Sequence, residues 1–237
     1  TAKTDTSIVM NFQGDRTILS YSADEAYTIP SDLLEKEAKW VFLTSSGFST
    51  YSDLYELLKE YLSTHPNTKL AINPGTRELQ DIKPTLQLLS LTEVLILNFE
   101  EACQLSGNNE LLRSSSATEE EKVAQLMKYF VGEGVKMVII TNGGSGAYGT
   151  DGKTLYHQVA FPSNIVEKTG AGDAYTTGIL SAFLKDVSLP EALRWGAAES
   201  SSVMEQVGAS RGLLTHDEMK NKLRDNFALK PKQVGTI

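Results

Sequence analysis

The stretch NIVEKTGAGDAYTTG, residues 164–178, decides the fold of this chain. A short extended run turns through Gly170 and Gly172 directly into a helical pattern. Glycines let the backbone approach a ligand closely, and the unpaired N–H groups of a helix's first turn form an anion site. Asp173 falls in that first turn, where a carboxylate either complements the helix dipole or acts as a base toward a bound hydroxyl group. The stretch therefore predicts a strand, a glycine turn and a helix around an anion, the parts that phosphoryl transfer needs.

Upstream of this unit, apolar runs alternate with helical patterns. Five of these runs are too apolar for one face to be exposed to water, so they predict the buried strands of a parallel sheet. They are residues 40–43, 70–72, 86–91, 94–97 and 138–140. Helical spacing over residues 54–62 and the capping box Thr118-x-x-Glu121 predict helices between them. Asp151-Gly152 predicts a tight hairpin, so an antiparallel edge follows the parallel core. The predicted fold class is α/β, a doubly wound, mostly parallel sheet with flanking helices.

The two ends of the chain differ from this core. Residues 7–12 and 16–21 are β-prone runs with a glycine between them, which predicts a hairpin separate from the main sheet. Further helices are predicted over residues 174–185, 188–206 and 215–227, the last two opened by the capping boxes Ser188-x-x-Glu191 and Thr215-x-x-Glu218. We therefore expect a small β hairpin at residues 1–28 and an α/β domain at residues 29–237.

Composition excludes several classes of function. The 237 residues carry 22 Lys and Arg against 30 Asp and Glu, a net charge of −8 that offers no basic surface to nucleic acid or to an anionic membrane. No apolar run approaches the roughly 20 residues that span a bilayer. Cys103 is the only cysteine, which excludes an intramolecular disulfide and favours the cytoplasm, and its apolar helical context predicts a buried small hydrophobe. A dinucleotide-binding oxidoreductase is disfavoured because no Gly-x-Gly-x-x-Gly follows an early strand.

Two further motifs accompany the glycine turn. Residues 98–101 read NFEE directly after a predicted strand, and residues 141–147 read TNGGSGA after the next one. Together with GAGD, in this order along the chain, they resemble the motifs of the ribokinase-like, or PfkB, family of carbohydrate and nucleoside kinases. The resemblance extends from the N-terminal hairpin to the terminal helices and so covers nearly the whole chain.

The resemblance implies an ATP-dependent kinase that uses Mg²⁺. Asp173 would be the base that takes the proton from the acceptor hydroxyl group, and the amides of Gly170, Ala171 and Gly172 would stabilise the transferring phosphoryl group. Asn98 and Glu101 would organise Mg²⁺ through water, although a carboxylate at a helix start is otherwise a surface charge that complements the dipole. The nucleotide-binding residues implied by the resemblance are Thr141, Gly143, Gly144 and Gly146. The region that in the family forms the wall around the adenine holds Ala197, Ala198, Ser201, Ser202, Val203 and Gly208, although small residues at helical spacing otherwise indicate close helix packing.

Other positions depart from the family's pattern. Residues 73–77, NPGTR, resemble its Asp-Pro-Asn-x-Arg stretch, in which Arg77 would contact a phosphate or a substrate anion unless it is a surface arginine. Glu167 and Lys168 stand where the family has Asp and Thr, so Glu167 and Thr169 are candidates for a monovalent cation site that takes K⁺. The family's first βαβ segment, with its sugar-binding Asp, has no counterpart, so the chain resembles a kinase without its N-terminal portion.

The resulting hypothesis is a kinase that transfers phosphate from ATP to a sugar hydroxymethyl group, as ribokinase and fructokinase do. A nucleoside kinase and a non-catalytic nucleotide-binding relative are the alternatives, because the residues that choose the substrate lie largely in the segment without counterpart. The hairpin is similar to the family's lid over the sugar pocket. Since lids of two subunits meet in dimeric members, a homodimer through the lid is also expected.

Overall fold

Two sheets contain all the strands in the residues that the computed structural model describes, which are 6–12, 15–21, 31–45, 51–75 and 78–237. One sheet is the antiparallel hairpin of β1 (Thr6–Phe12) and β2 (Asp15–Tyr21). The other has seven strands, which neighbour each other in chain order: β3 (Trp40–Leu43), β4 (Lys69–Ile72), β5 (Thr92–Asn98), β6 (Met137–Thr141), β7 (Ala147–Thr150), β8 (Thr154–Gln158) and β9 (Lys232–Thr236). β3 to β6 run parallel and β6 to β9 antiparallel. The predicted parallel core with an antiparallel edge is confirmed.

Helices cover both faces of the seven-stranded sheet. They are α1 (Ser31–Leu34), α2 (Tyr51–Thr64), α3 (Lys83–Leu88), α4 (Phe99–Ser106), α5 (Glu119–Gly132), α6 (Ala171–Leu184), α7 (Leu189–Met204) and α8 (His216–Asp225). Successive strand residues point to opposite faces, so β4 sends Leu70 and Ile72 into a core with α2 to α5, and Ala71 into a core with α6 to α8. Cys103 is fully buried in the first core, as predicted. Strands buried on both faces explain why their sequences are apolar throughout.

The sequence prediction is wrong for residues 86–91, which were expected to form a strand. They complete α3 and then form a 3₁₀ turn over Leu89–Leu91, and β5 begins only at Thr92. Pro84 in the first turn of α3 fits a helix start, where a missing N–H is tolerated, and would interrupt a central strand. The leucines of this run are apolar enough for either structure, so the apolar pattern alone could not distinguish them.

Two errors concern the C-terminal third. Ser188 precedes α7 as predicted, but its side chain forms no capping hydrogen bond. The Glu191 carboxylate, the other half of the predicted box, accepts two bonds from Arg194 Nη1 instead, at 3.0 and 2.9 Å. The capping boxes at Thr118 and Thr215 are present as predicted. The sequence analysis also missed β9, which pairs with β8 at the edge of the sheet and packs Val234 against the first core. A short polar strand such as β9 has no apolar pattern of its own, because it is formed by pairing with a segment far away in the chain.

The hairpin of β1 and β2 is a sheet of its own, as predicted. Its register pairs Ile8 with Leu19 and Val9 with Ile18. These side chains are between 40% and 59% exposed, so the ribbon has apolar surface on both faces. The turn expected at residues 13 and 14 lies outside the described residues. None of the described helices is long and apolar enough to cross a bilayer.

Candidate functional site

A cavity of about 400 Å³ lies between the glycine turn that precedes α6 and the turn that follows β6. Four of the predicted nucleotide-binding residues line one side of it: Thr141, Gly143, Gly144 and Gly146. Ala171 and Gly172, two of the predicted anion-binding residues, line the other side. The turn after β6 follows its strand directly, at the edge where parallel α/β folds bind ligands. The strand predicted directly before the glycine turn is wrong, because residues 159–170, between β8 and α6, form no strand. Six residues predicted from two separate motifs therefore meet in one cavity.

Gly170 has a backbone conformation that requires glycine. Its φ is +81°, in the left-handed region, and a Cβ atom there would lie only 2.8 Å from Ala209 Cα. The close approach packs the turn against the loop that follows α7. At this position glycine thus serves the local backbone geometry, independently of any ligand.

The first turn of α6 presents free amide groups. The Ala171 N–H donates to the Lys168 carbonyl oxygen at 3.3 Å. Within the described residues, the N–H groups of Gly172 and Asp173 donate to no protein acceptor, and Gly172 lines the cavity. Unpaired N–H groups at a helix N-terminus attract anions. Of the amides predicted to bind an anion, that of Ala171 is therefore paired and that of Gly172 is free within the described residues.

Asp173 acts electrostatically on Glu101, which comes from a different motif. Glu101 is in the first turn of α4, and burial raises the pKa of its carboxyl group, opposed by the bond from Asn98 N–H. The negative charges of Asp173 and then Glu100 raise the pKa of Glu101 further. The fold thus brings the candidate base and a candidate magnesium-organising residue within electrostatic range, on the first turns of two helices that pack on opposite faces of the sheet.

Asn98 and Glu101 form a reciprocal capping box at the start of α4. The Glu101 N–H donates to Asn98 Oδ1, and the Asn98 N–H donates to Glu101 Oε2, both at 2.8 Å. No three His, Cys, Asp or Glu side chains converge on one point in the described part of the chain. This donor set fits Mg²⁺ held largely through water and through a ligand's own oxygens, because one oxygen of Glu101 is already used by the cap.

Several predicted residues lie outside the cavity. Ala198 is fully buried in the core, while its neighbour Ala197 lines the cavity instead. Ser202 and Gly208 are not part of the cavity wall. Gly208 donates its N–H to Glu167 Oε2 at 2.9 Å, so Glu167 ties the irregular segment before the glycine turn to the loop after α7. Thr169 lies in the glycine turn next to Gly170, and Arg77 lies outside the described residues.

Two residues of the predicted adenine region, Ala197 and Ser201, do line the cavity. The other residues of the wall were not predicted from the sequence and come from β8, the segment after it, α6 and α7: Gln158, Ala160, Phe161, Ser163, Ile165, Lys168, Tyr175, Ser200 and Met204. α6 and α7 meet closely because Gly196 has no side chain, and a Cβ there would lie 2.7 Å from the Tyr175 ring. This packing brings Tyr175 and Ala197 to one cavity, and no local motif identifies Tyr175 as part of it.

The turn after β6 is held by α5 and β8. Ser145 Oγ donates to Glu119 Oε2 at 3.2 Å, and His157 Nε2 lies 2.8 Å from the Ser145 carbonyl oxygen. The His157 ring stacks on Tyr148, with the ring centres 4.3 Å apart. Burial, followed by the nearby Glu119, raises the pKa of Tyr148 to about 12. These contacts preorganise Gly143 to Gly146 at the cavity.

Comparison with known proteins identifies relatives of one kind. The model of the pfkB family of carbohydrate kinases matches residues 1–216. The fructosamine kinase FrlD of Bacillus subtilis is 35% identical over 96 residues, which are 40% of this chain and 34% of that protein. The ribokinase of Staphylococcus aureus is 29% identical over 134 residues, 56% of this chain and 42% of that protein. The matched region spans about a third of the first curated relatives.

Solved structures share the fold. The ribokinase of Arabidopsis thaliana, in complex with ribose and ATP, superposes with a TM-score of 0.78 at 21% identity, over 94% of this chain and 70% of that one. A putative ribokinase II of E. coli, in complex with ATP and Mg²⁺, superposes with a TM-score of 0.74 at 20% identity, over 94% of this chain and 72% of that one. At these identities the likeness establishes the ribokinase-like fold.

Proposed function

Because the chain belongs to the pfkB family of carbohydrate kinases, we propose that it forms the nucleotide-binding and catalytic part of a kinase that phosphorylates a sugar hydroxymethyl group with ATP. The observation that carries the proposal is the cavity whose wall includes the free amide of Gly172, with Asp173 as the next residue. Phosphoryl transfer depends on positioning and on stabilising charge, and this arrangement supplies both. A sugar substrate is favoured over a nucleoside because fructosamine kinase and ribokinase are among the relatives.

In the proposed reaction, the Asp173 carboxylate accepts the proton of the acceptor hydroxyl group as its oxygen attacks the terminal phosphorus atom of ATP. The bond from that phosphorus to the bridging oxygen of ADP breaks. The amides of residues 170–172, with Gly172 as the free one, stabilise the charge on the transferring group. Thr141, Gly143, Gly144 and Gly146 approach the rest of the phosphate chain. Arg77 is proposed to contact a phosphate or substrate anion.

We further propose that Asn98 and Glu101 organise Mg²⁺ near the phosphates through water. Mg²⁺ supplies charge neutralisation when it is bound. The repulsion between Glu101 and Asp173 supports this placement, because a divalent cation between two carboxylates relieves it. Glu167 and Thr169 are proposed to border a K⁺ site, and the bond from Gly208 to Glu167 keeps the two segments of that site together. Ala198, Ser202 and Gly208 are proposed only to support the wall that Ala197 and Ser201 form.

The hairpin of β1 and β2 is proposed to cover the sugar as a lid and to pair with the lid of a second subunit. Its support is the apolar surface on both faces, since Ile8, Leu19 and Ile18 are each about half exposed. A free two-stranded ribbon is marginally stable, so it gains most from a surface to cover. A cytoplasmic location stays a prediction from the cysteine content.

The substitution Asp173→Asn tests the assignment of the base. In the full-length protein we expect it to lower kcat for sugar phosphorylation by at least roughly 10²-fold, the lower end of general-base contributions, with little change in nucleotide affinity. The measurement is steady-state kinetics over a panel of sugars and nucleosides, with calorimetry of ATP binding.

The control is Asp217→Asn, which removes an exposed carboxylate from the first turn of α8. If Asp173 merely complements the dipole of its helix, the two variants will both keep nearly the parent kcat, and the proposed mechanism will need another base. If the protein phosphorylates nucleosides in this panel and no sugar, the substrate is a nucleoside and the proposed sugar substrate is wrong.

A further inference from the structure

The side chain of Gln158 has a buried hydrogen-bond acceptor without a donor. Gln158 is the last residue of β8, is fully buried and belongs to the wall of the cavity. Its Nε2 donates to the Val159 carbonyl oxygen at 2.8 Å, which identifies the nitrogen end of the amide. Oε1 has no donor within the described residues. Buried acceptors are nearly always paired, because leaving one unpaired is destabilising.

The strand register places this side chain on the same face of the sheet as the cavity. Gln158 pairs directly with Ala147 across the antiparallel β7 and β8, so the two side chains lie on one face. Ala147 packs in the core beneath α6 and α7, the helices that supply Tyr175 and Ala197 to the cavity wall. His157, one residue earlier, lies on the other face against Tyr148. Because Oε1 itself is closed off in this structure, a molecule in the cavity supplies the missing donor only once the Gln158 side chain turns toward it.

On the basis of the proposed function, we propose that Gln158 Oε1 accepts a hydrogen bond from an amino or hydroxyl group of the nucleoside half of ATP, and so selects nucleotides that carry this donor. The ionised phosphates of ATP carry acceptors, which cannot pair with a carbonyl oxygen, and the free amide of Gly172 suits them instead. The nucleoside half offers three donor groups, the 6-amino group of adenine and the two ribose hydroxyl groups. Sites built around a buried polar group discriminate strongly against analogues that lack its partner.

Calorimetry with four ligands tests the proposal on the unmodified protein. The ligands are ATP, 2′-deoxy-ATP, 3′-deoxy-ATP and the triphosphate of purine riboside, which lacks the 6-amino group. We expect one analogue to bind about tenfold more weakly than ATP, the range of one buried hydrogen bond. Equal binding of all four ligands, within about twofold, would overturn the inference without the need for any variant.

The variant Gln158→Met then identifies the residue responsible. It keeps the side chain's length and removes the acceptor, so ATP should bind about tenfold more weakly and the discrimination among the four ligands should disappear. The control is Gln104→Met, which also loses a hydrogen bond from Nε2 to a backbone carbonyl oxygen, in this case that of Leu79. Gln104 is not part of the cavity wall, so this variant should keep the discrimination among the four ligands.

The outcomes separate this inference from the proposed function. If Gln158→Met keeps the discrimination, the Oε1 atom is satisfied in another way, for example by an internal water, and the inference is wrong while ATP binding stands. If the unmodified, folded protein binds none of the nucleotides, both proposals fall together.

Discussion

Substituting alanine for Gly170 and, separately, for Gly172 separates the structural role of the glycine turn from its proposed role at the phosphate. At Gly170 an alanine must adopt a φ of +81° and would place its Cβ 2.8 Å from Ala209 Cα and 2.9 Å from its carbonyl carbon. A left-handed conformation costs a non-glycine residue about 1–2 kcal/mol, and overpacking against backbone costs about 1–3 kcal/mol. Alanine also reduces the conformational entropy of the unfolded chain, which offsets about 0.4–1 kcal/mol of this destabilisation. We therefore expect Gly170→Ala to lower the free energy of unfolding by about 1–4 kcal/mol.

Gly172→Ala should behave in the opposite way. A Cβ at Gly172 meets no atom within 4 Å, and the residue lies inside the first turn of α6. Alanine is the better helix former by roughly 0.5–1 kcal/mol, so stability should stay the same or rise. The added methyl group stands at the cavity wall, however, and should weaken ATP binding by hindering close approach of the phosphates.

Urea unfolding followed by circular dichroism measures the first effect, and calorimetry of ATP binding measures the second. A Gly170→Ala protein as stable as the parent would refute the packing against Ala209. A Gly172→Ala protein that is destabilised would refute the open space at that position, and one that binds ATP as tightly as the parent would refute the proposed phosphate cradle.

Two other predictions concern stability and local order. Burial raises the pKa of Glu199 above its ordinary value of 4.5, so the folded chain holds this proton more tightly than the unfolded chain. The protonated carboxyl group therefore contributes stability below pH 4.5, and this contribution is lost as the pH rises through the pKa of the folded state. Glu199→Gln keeps an acceptor for the Leu214 N–H, so its stability relative to the parent, measured by urea unfolding, should rise with pH across that window. If the difference in unfolding free energy between Glu199→Gln and the parent does not change with pH, the raised pKa of Glu199 is wrong. In hydrogen exchange, β1 and β2 should be the least protected strands of the ligand-free monomer, and slow exchange there would contradict a free lid.

Local patterns in the sequence were sufficient for most of the elements. The capping boxes at Thr118 and Thr215, the Asp151-Gly152 hairpin and the strands of the parallel core all lie where the sequence predicts them. Each depends on neighbouring residues, whose side chains and backbone interact within one or two turns. The apolar run at residues 86–91 was misread because leucines suit a buried helix and a buried strand equally.

The sequence by itself determined the class of the fold and the two motif segments of the cavity, because the glycine turns at Gly170 and Gly143 carry their backbone conformation with them. Only the tertiary structure decided which other residues reach the cavity. Ala197 lines it and Ala198 does not, because the rotation of α7 is set by its packing on α6 through Gly196. The electrostatic interaction of Glu101 with Asp173 and the burial of the unpaired Gln158 acceptor likewise arise between segments far apart in the chain. Such contacts depend on the relative placement of whole elements, which no local pattern of residues specifies.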